Sequence, residues 1–255
     1  MILVEKKTIQ HIPVLHIVKQ KQFKDRMPLI VFLHGFTSTK ERNMHYAYLF
    51  AEKGFRVIMP EAKYHGTRSE GFSEAELSYR FWNIVITSIE ELSTIKQELV
   101  EEGLVDPTRI GVAGTSMGGI TTLGALAKYE WIKAGVSLMG NPSFEQFALW
   151  QLNEMEKRNI QIGLSQEQIS DLLNQLRQYD LSLQPEKLNQ RPLLFWHGKL
   201  DPVVPYQAAY HFYEQNRKSY EGTEGKFDFV TDENAGHNVS NAGVEATANW
   251  FEKHI

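Results

Sequence analysis

The feature that most constrains this chain is a repeated alternation: a short run that is apolar at all or nearly all positions, followed by a longer segment whose apolar residues recur at three-and-four spacing. The runs are Leu29 to Leu33, Phe55 to Met59, Ile110 to Ala113, Ala134 to Leu138, Leu193 to Trp196 and Phe227 to Val230. A strand that is apolar throughout must be covered on both faces. Between the runs lie segments of helical spacing: Glu41 to Lys53 closed by Gly54, Ala75 to Glu102 closed by Gly103, about Gly118 to Tyr129, Ala208 to Asn216 and Val244 to Lys253. The alternation predicts a doubly wound α/β fold with a mostly parallel sheet, joined by right-handed crossovers. Ile2 to Ile9 and Ile12 to Val18 precede it and read as an antiparallel pair at one sheet edge.

The rhythm changes once. Between residues 141 and 190 no buried-strand pattern occurs, while Phe144 to Arg158 and Ser165 to Tyr179 both carry helical spacing. We read residues 1–255 as a single domain with a small helical cap inserted at 141–190. The cap's Phe144, Phe147, Leu149, Trp150 and Met155 are expected to be core in the main; Tyr79, Phe81 and Trp82 are candidates for the acyl pocket, though aromatics at helical spacing are more often core.

A net charge of −4 offers no basic field for a polyanion, so no nucleic-acid partner is expected. Cysteine is absent, which excludes disulfides, thiolate nucleophiles and Cys-ligated zinc together. The opening Met-Ile-Leu-Val meets Glu5, Lys6 and Lys7, too short an apolar run for the centre of a signal peptide. With no stretch of membrane-spanning length either, the expectation is a cytoplasmic protein without a membrane partner.

The chemistry must then fall to Ser, His, Asp, Glu or Lys. Gly114-Thr115-Ser116-Met117-Gly118 has the form of a nucleophile elbow, in which a tight strand-to-helix turn lifts the serine oxygen clear of the sheet. Side chains two positions either side of the serine would collide in such a turn, hence the glycines. Chance places this pattern in roughly one chain in ten of this length, given ordinary Gly and Ser usage. Its context, strand-like before and helix-like after, is what gives it weight. An oxyanion needs two N–H donors, and the candidates are the backbone of Met117, behind the serine, and of Phe36, in the loop His34-Gly35-Phe36-Thr37 that follows an early strand. His34 reads as a structural imidazole holding that loop, and Gly35 as relief from crowding.

With the chain order serine, acid, histidine, the base lies late. His211 falls mid-helix and His254 at the terminus, which leaves His237 in the loop Ala235-Gly236-His237-Asn238. Asp201 lies where a buried strand runs out into Gly198-Lys199-Leu200-Asp201-Pro202, at the carboxyl edge where such sites gather. Asp228 and Asp232 are alternatives nearer the histidine in sequence. Glu61 to Arg68 follows a strand and is a candidate for the site mouth or an ordinary loop. His65 has none of the close histidine pairing a metal site needs, and no metal or cofactor is expected.

On these residues the chain resembles the α/β-hydrolase superfamily, in its dienelactone-hydrolase-like and prolyl-oligopeptidase-like branch, and most of all the small bacterial YitV-like esterases. The resemblance runs through His34 to Glu41, Arg109 to Leu123, Ala134 to Gly140, Leu181 to Leu188 and Pro192 to Pro205. It implies a serine esterase acting on a small or medium carboxylic ester through an acyl-enzyme, with Ser116 attacking, His237 taking its proton, Asp201 orienting His237, and the Phe36 and Met117 N–H groups binding the oxyanion. Dienelactone hydrolases proper use cysteine, so Ser116 points away from their reaction. The alternatives are a serine peptidase acting on short peptides and a hydrolase-fold binding module without catalysis.

Overall fold

The computed structural model describes residues 1–157, 163 and 165–255. In chain order the strands are β1 (Ile2–Ile9), β2 (Ile12–Lys19), β3 (Met27–Leu33), β4 (Arg56–Pro60), β5 (Val105–Thr115), β6 (Ala134–Leu138), β7 (Leu193–Gly198) and β8 (Phe227–Asp232). They form one sheet in the order β1-β2-β4-β3-β5-β6-β7-β8. From β4 to β8 all neighbours are parallel, whereas β1 and β2 are antiparallel, β2 against β4. This is the mostly parallel sheet with an antiparallel edge that the apolar runs predict.

The helices are α1 (Met44–Glu52), α2 (Glu74–Tyr79), α3 (Phe81–Glu101), α4 (Met117–Lys128), α5 (Phe144–Lys157), α6 (Gln166–Leu176), α7 (Tyr206–Asn216) and α8 (Asn241–His254). Strand side chains alternate between two cores, as the pleat requires. Leu29, Val31 and Leu33 join the layer built by α3, α4 and α7, while Ile30 and Phe32 join the layer of α1 and α8. The expected cap helices are α5 and α6, between β6 and β7; the predicted extension through Arg158 lies outside the described residues. No helix among the described residues is long and apolar enough to cross a membrane.

The single long helix expected over Ala75 to Glu102 is broken in two at Arg80, whose φ and ψ are −96° and 0°. A capping box between Ser73 and Glu76 starts α2, and the Arg80 guanidinium returns to the Glu76 carbonyl and lies 3.9 Å from the Phe72 ring centre. No residue of α2 is buried, whereas eleven of α3 are. Only α3 is therefore held to the sheet by its apolar stripe, and α2 is free to turn aside.

Parallel register brings the carboxyl ends of β3, β5, β7 and β8 to one rim, with Leu33 opposite Gly114 and Gly198 opposite Asp232. At the antiparallel edge, the wholly buried Arg56 ties β4 to its surroundings. It donates to the carbonyls of Phe23, Asp25 and Gln22 at 2.8, 3.0 and 3.4 Å and to that of Leu104 at 3.2 Å, and it abuts the His16 ring. Removing it leaves four part-buried carbonyls without this donor, at up to about 1–3 kcal/mol each. Arg56→Met is expected to destabilise the protein by about 3 kcal/mol or more, read as a lower urea midpoint at unchanged slope.

Candidate active site

β5 ends at Thr115 and α4 begins at Met117, so Ser116 alone makes the turn. Its φ is 55° and ψ −115°, a conformation that costs a non-glycine residue roughly 1–3 kcal/mol. The turn is held by the Ser116 N–H donating to the Leu138 carbonyl at 2.7 Å and by the Ile120 N–H reaching the Ser116 carbonyl at 2.9 Å. The flanking glycines answer to a backbone contact. A Cβ on Gly118 would lie 2.1 Å from the Leu33 carbonyl oxygen, and one on Gly114 would lie 2.5 Å from the Gly118 carbonyl carbon. Any side chain at either position would push the elbow off β3. Gly119 is similarly close, 2.8 Å from the Leu138 oxygen, as helix-to-strand packing demands.

The structure brings Ser116, His237 and Asp201 together. His237 Nε2 is 2.8 Å from Ser116 Oγ, and its Nδ1 is 2.7 Å from Asp201 Oδ2. Asp201 Oδ1 accepts the N–H groups of Val203 and Val204 at 2.8 and 3.0 Å, which fixes the carboxylate plane and leaves Oδ2 to the histidine. His197, at the end of β7, lies 3.4 Å from the same Oδ2 and donates from Nε2 to the Val204 carbonyl at 3.0 Å. The Asp201 side chain is fully buried and that of His237 partly open. Burial alone would raise the Asp201 pKa, but hydrogen bonds from His197, His237 and the Val204 and Val203 amides reverse this and hold the carboxyl well below the usual range.

The loops that carry Asp201 and His237 are pressed together by a contact that the sequence motifs do not announce. A Cβ on Gly198 would lie 2.4 Å from the Gly236 oxygen, and the Leu200 N–H donates to the Ala235 carbonyl at 3.0 Å. Asp232 serves this turn, accepting the N–H groups of Asn234 and Ala235, and Asp228 accepts its own neighbour's N–H at Phe229. Neither is bonded to His237. His211 stands exposed on α7, and His254 packs on Trp250 at the far end of α8.

The loop at 34–37 lies against the elbow, where a Cβ on Gly35 would be 3.5 Å from Ser116 Cβ. His34 is buried and spans the loop, its Nδ1 on the Gly35 carbonyl at 2.9 Å and its Nε2 accepting the Ala62 N–H at 3.1 Å. Among the described residues, the backbone N–H groups of Phe36 and Met117 have no hydrogen-bond partner. Burial pushes the His34 pKa down to about 4, the Gly35 carbonyl acting the other way. The imidazole is thus neutral at ordinary pH.

A cavity of about 420 Å³ opens at Ser116, walled by Phe36, Phe81, Ile120, Phe147, Trp150 and Met155. Here several expectations need correction. Phe144 and Phe147 are buried, but Trp150 and Met155 face the cavity and Leu149 is exposed, because α5 packs by one stripe and lays the next over the pocket. Phe81 and Trp82 are core, with Phe81 also lining the cavity, whereas Tyr79 is largely exposed at its wall. None of Glu61 to Arg68 lines it. That segment runs behind the 34–37 loop, where wholly buried Glu61 meets Lys40 and receives the Lys40 and Thr67 N–H groups, both at 3.2 Å. Arg68 donates to the Glu61 carbonyl at 2.9 Å and grips Glu91 with two nitrogens at 2.9 and 2.8 Å. Among the described residues no cluster of three His, Asp or Glu side chains is placed to hold a metal ion.

The profile of the prolyl oligopeptidase family matches residues 41–255. A Bacillus subtilis protein named "Putative esterase YitV" is 50% identical, the alignment covering 100% of both chains. The Escherichia coli protein named "Esterase YjfP" is 29% identical, again over 100% of both. A solved Thermus thermophilus structure superposes with a TM-score of 0.76 at 22% identity, covering 99% of this chain and 98% of that one.

The lowered His34 pKa has a consequence for stability. Between about 6.5, the ordinary value, and about 4, the unfolded chain binds a proton at this position more readily than the folded one. The contribution of His34 is therefore complete above about pH 6.5 and is lost as pH falls toward about 4. Thermal midpoints recorded across that range should drop more steeply for the unsubstituted protein than for His34→Asn, which has nothing to titrate there.

Proposed function

Because the chain belongs to the prolyl oligopeptidase family, we propose that it is a serine esterase, cleaving small or medium-sized carboxylic esters through an acyl-enzyme. The observation that carries this is the unbroken hydrogen-bond chain from Asp201 through His237 to Ser116, at 2.7 and 2.8 Å. Ser116 Oγ adds to the ester carbonyl carbon as His237 Nε2 takes its proton. Asp201, held ionised, stabilises the imidazolium from the other side of the ring. The negative charge on the former carbonyl oxygen is met by the N–H groups of Phe36 and Met117, which have no other partner to give up. Collapse breaks the bond to the alcohol, which leaves with the proton from His237. Water then repeats the sequence on the acyl-enzyme, with His237 as base, and releases the carboxylic acid.

Support for an ester over an amide comes from relatives matched over their whole length that bear the esterase name. The apolar cavity suits a neutral acyl or alcohol group, and α5 covers it through Phe147, Trp150 and Met155. The family's description favours a second reading, cleavage of short peptides by the same groups.

Purified protein should hydrolyse p-nitrophenyl acetate or butyrate, and Ser116→Ala should lower kcat on the order of 10⁴-fold or more. A fluorophosphonate should label the peptide that contains Ser116. Undiminished hydrolysis by the alanine variant, or label on another residue, would remove Ser116 from the reaction; faster cleavage of a peptide p-nitroanilide than of the esters would favour the second reading.

A further inference from the structure

We infer that His65, which the proposed acyl transfer does not use, is a positioning residue for the oxyanion hole: with His34 it closes a reciprocal clasp between two loops that aims the Phe36 N–H. The inference rests on the esterase reading above.

β3 and β4 are parallel neighbours, so the loops at their carboxyl ends, 34–37 and 61–65, lie side by side. Each loop sends an imidazole into the other. His34 Nε2 accepts the N–H of Ala62 at 3.1 Å, and His65 Nε2 accepts the N–H of Thr37 at 3.1 Å. Both rings are almost completely buried. Each Nδ1 faces a carbonyl, Gly35 for His34 and Lys63 for His65, both at 2.9 Å. A carbonyl only accepts, so the proton of each neutral ring must sit on Nδ1, which leaves Nε2 as the acceptor that the opposite loop requires. The arrangement works only with both rings neutral. Burial lowers the pKa of His65 as it does that of His34, while the Lys63 carbonyl and Glu61 oppose it.

The bond from His65 falls on the residue following the proposed donor. Thr37 has a φ of 59°, and its N–H is drawn back toward His65 while the Phe36 N–H remains unpartnered. The Ser38 N–H closes the turn on the Gly35 carbonyl at 3.1 Å, and the Phe36 ring packs edge-on against His65, 5.7 Å between centres. With Gly35 held by His34 and Thr37 held by His65, the peptide between them has little freedom to rotate. That matters because an oxyanion donor acts only when aimed at the position the oxygen takes in the transition state.

The two nitrogens of His65 can be separated by substitution. Gln places an amide oxygen near Nε2 and keeps an acceptor for Thr37; Asn places its amide near Nδ1, keeping a donor for Lys63 but losing that acceptor. On a p-nitrophenyl ester, His65→Asn should lower kcat by about 10- to 100-fold with KM within about twofold, and His65→Gln should stay within about threefold of the unsubstituted enzyme. Wild-type kcat in the Asn variant, or equal losses in both variants, would overturn the inference. In the unsubstituted protein, imidazole ¹⁵N shifts near neutral pH should report the Nδ1–H tautomer at His65. An Nε2–H tautomer or an imidazolium there would overturn it whether or not the variants fold. An unsubstituted protein that neither hydrolyses esters nor takes a fluorophosphonate at Ser116 would instead sink the esterase reading itself.

Discussion

Everything at the carboxyl rim depends on how closely β3 and the elbow approach. The Leu33 carbonyl sits so near Gly118 that not even a methyl group fits between them. Leu33 is also the last residue of β3, so the chain passes directly from that contact into the His34–Thr37 loop. Ser116 and the loop that faces it are thereby set by one backbone distance rather than by two independent placements. On the other side of Ser116, Gly198 against Ala235 and Gly236 does the same for the loops that carry Asp201 and His237. Two glycine-lined contacts thus bring four loops, from four different strands, to one point.

The electrostatics follow the same division. The acid end holds one fixed anion, Asp201, whose carboxylate is buried yet hydrogen-bonded on both oxygens. Beneath the 34–37 loop the buried charges cancel locally, Lys40 against Glu61 and Arg68 against Glu91, and the two imidazoles stay neutral. Unpaired charge this deep would be costly, and pairing offsets the penalty while leaving little net charge under the 34–37 loop. The unpartnered donors there are the backbone N–H groups of Phe36 and Met117, whose dipoles are fixed by the fold. The strain at Ser116 is carried by the same rigid frame.

The parts legible in the sequence were those with a local signature. Leu29 to Leu33 and Leu193 to Trp196 read as buried strands because every position is apolar; Ser116 stood out by its flanking glycines, and Asp201 and His237 by lying in loops after late strands. The break at Arg80 left no trace, since the three-and-four spacing continues through it on both sides. Nor did the surroundings of Trp150 and Met155, where one helical stripe is shared between core and cavity and periodicity alone does not separate them. His65 was the least legible. Its partner Thr37 lies 28 residues away, and the two meet only because β3 and β4 are adjacent in the sheet although consecutive strands need not be. A lone buried histidine after a strand has no spacing that betrays it.

The division between what is rigid and what is peripheral bears on specificity. Ser116, His237 and Asp201 are held by the ends of sheet strands, but much of the cavity wall comes from α2 and α5, which stand outside the alternation. α5 is tied to α3 by the Trp82 indole donating to Gln151 at 2.9 Å, and its Phe147 and Trp150 rings stack at 5.5 Å to form one face of the chamber. α2 buries none of its residues and meets the cavity through Glu74, Ala75, Ser78 and Tyr79. Substitutions in these two helices can therefore reshape the chamber, while the hydrogen-bond chain rests on residues at the ends of β5, β7 and β8. A fold arranged in this way keeps one set of reacting groups while the pocket changes around it, which is the physical ground on which esterases and peptidases can share a single family.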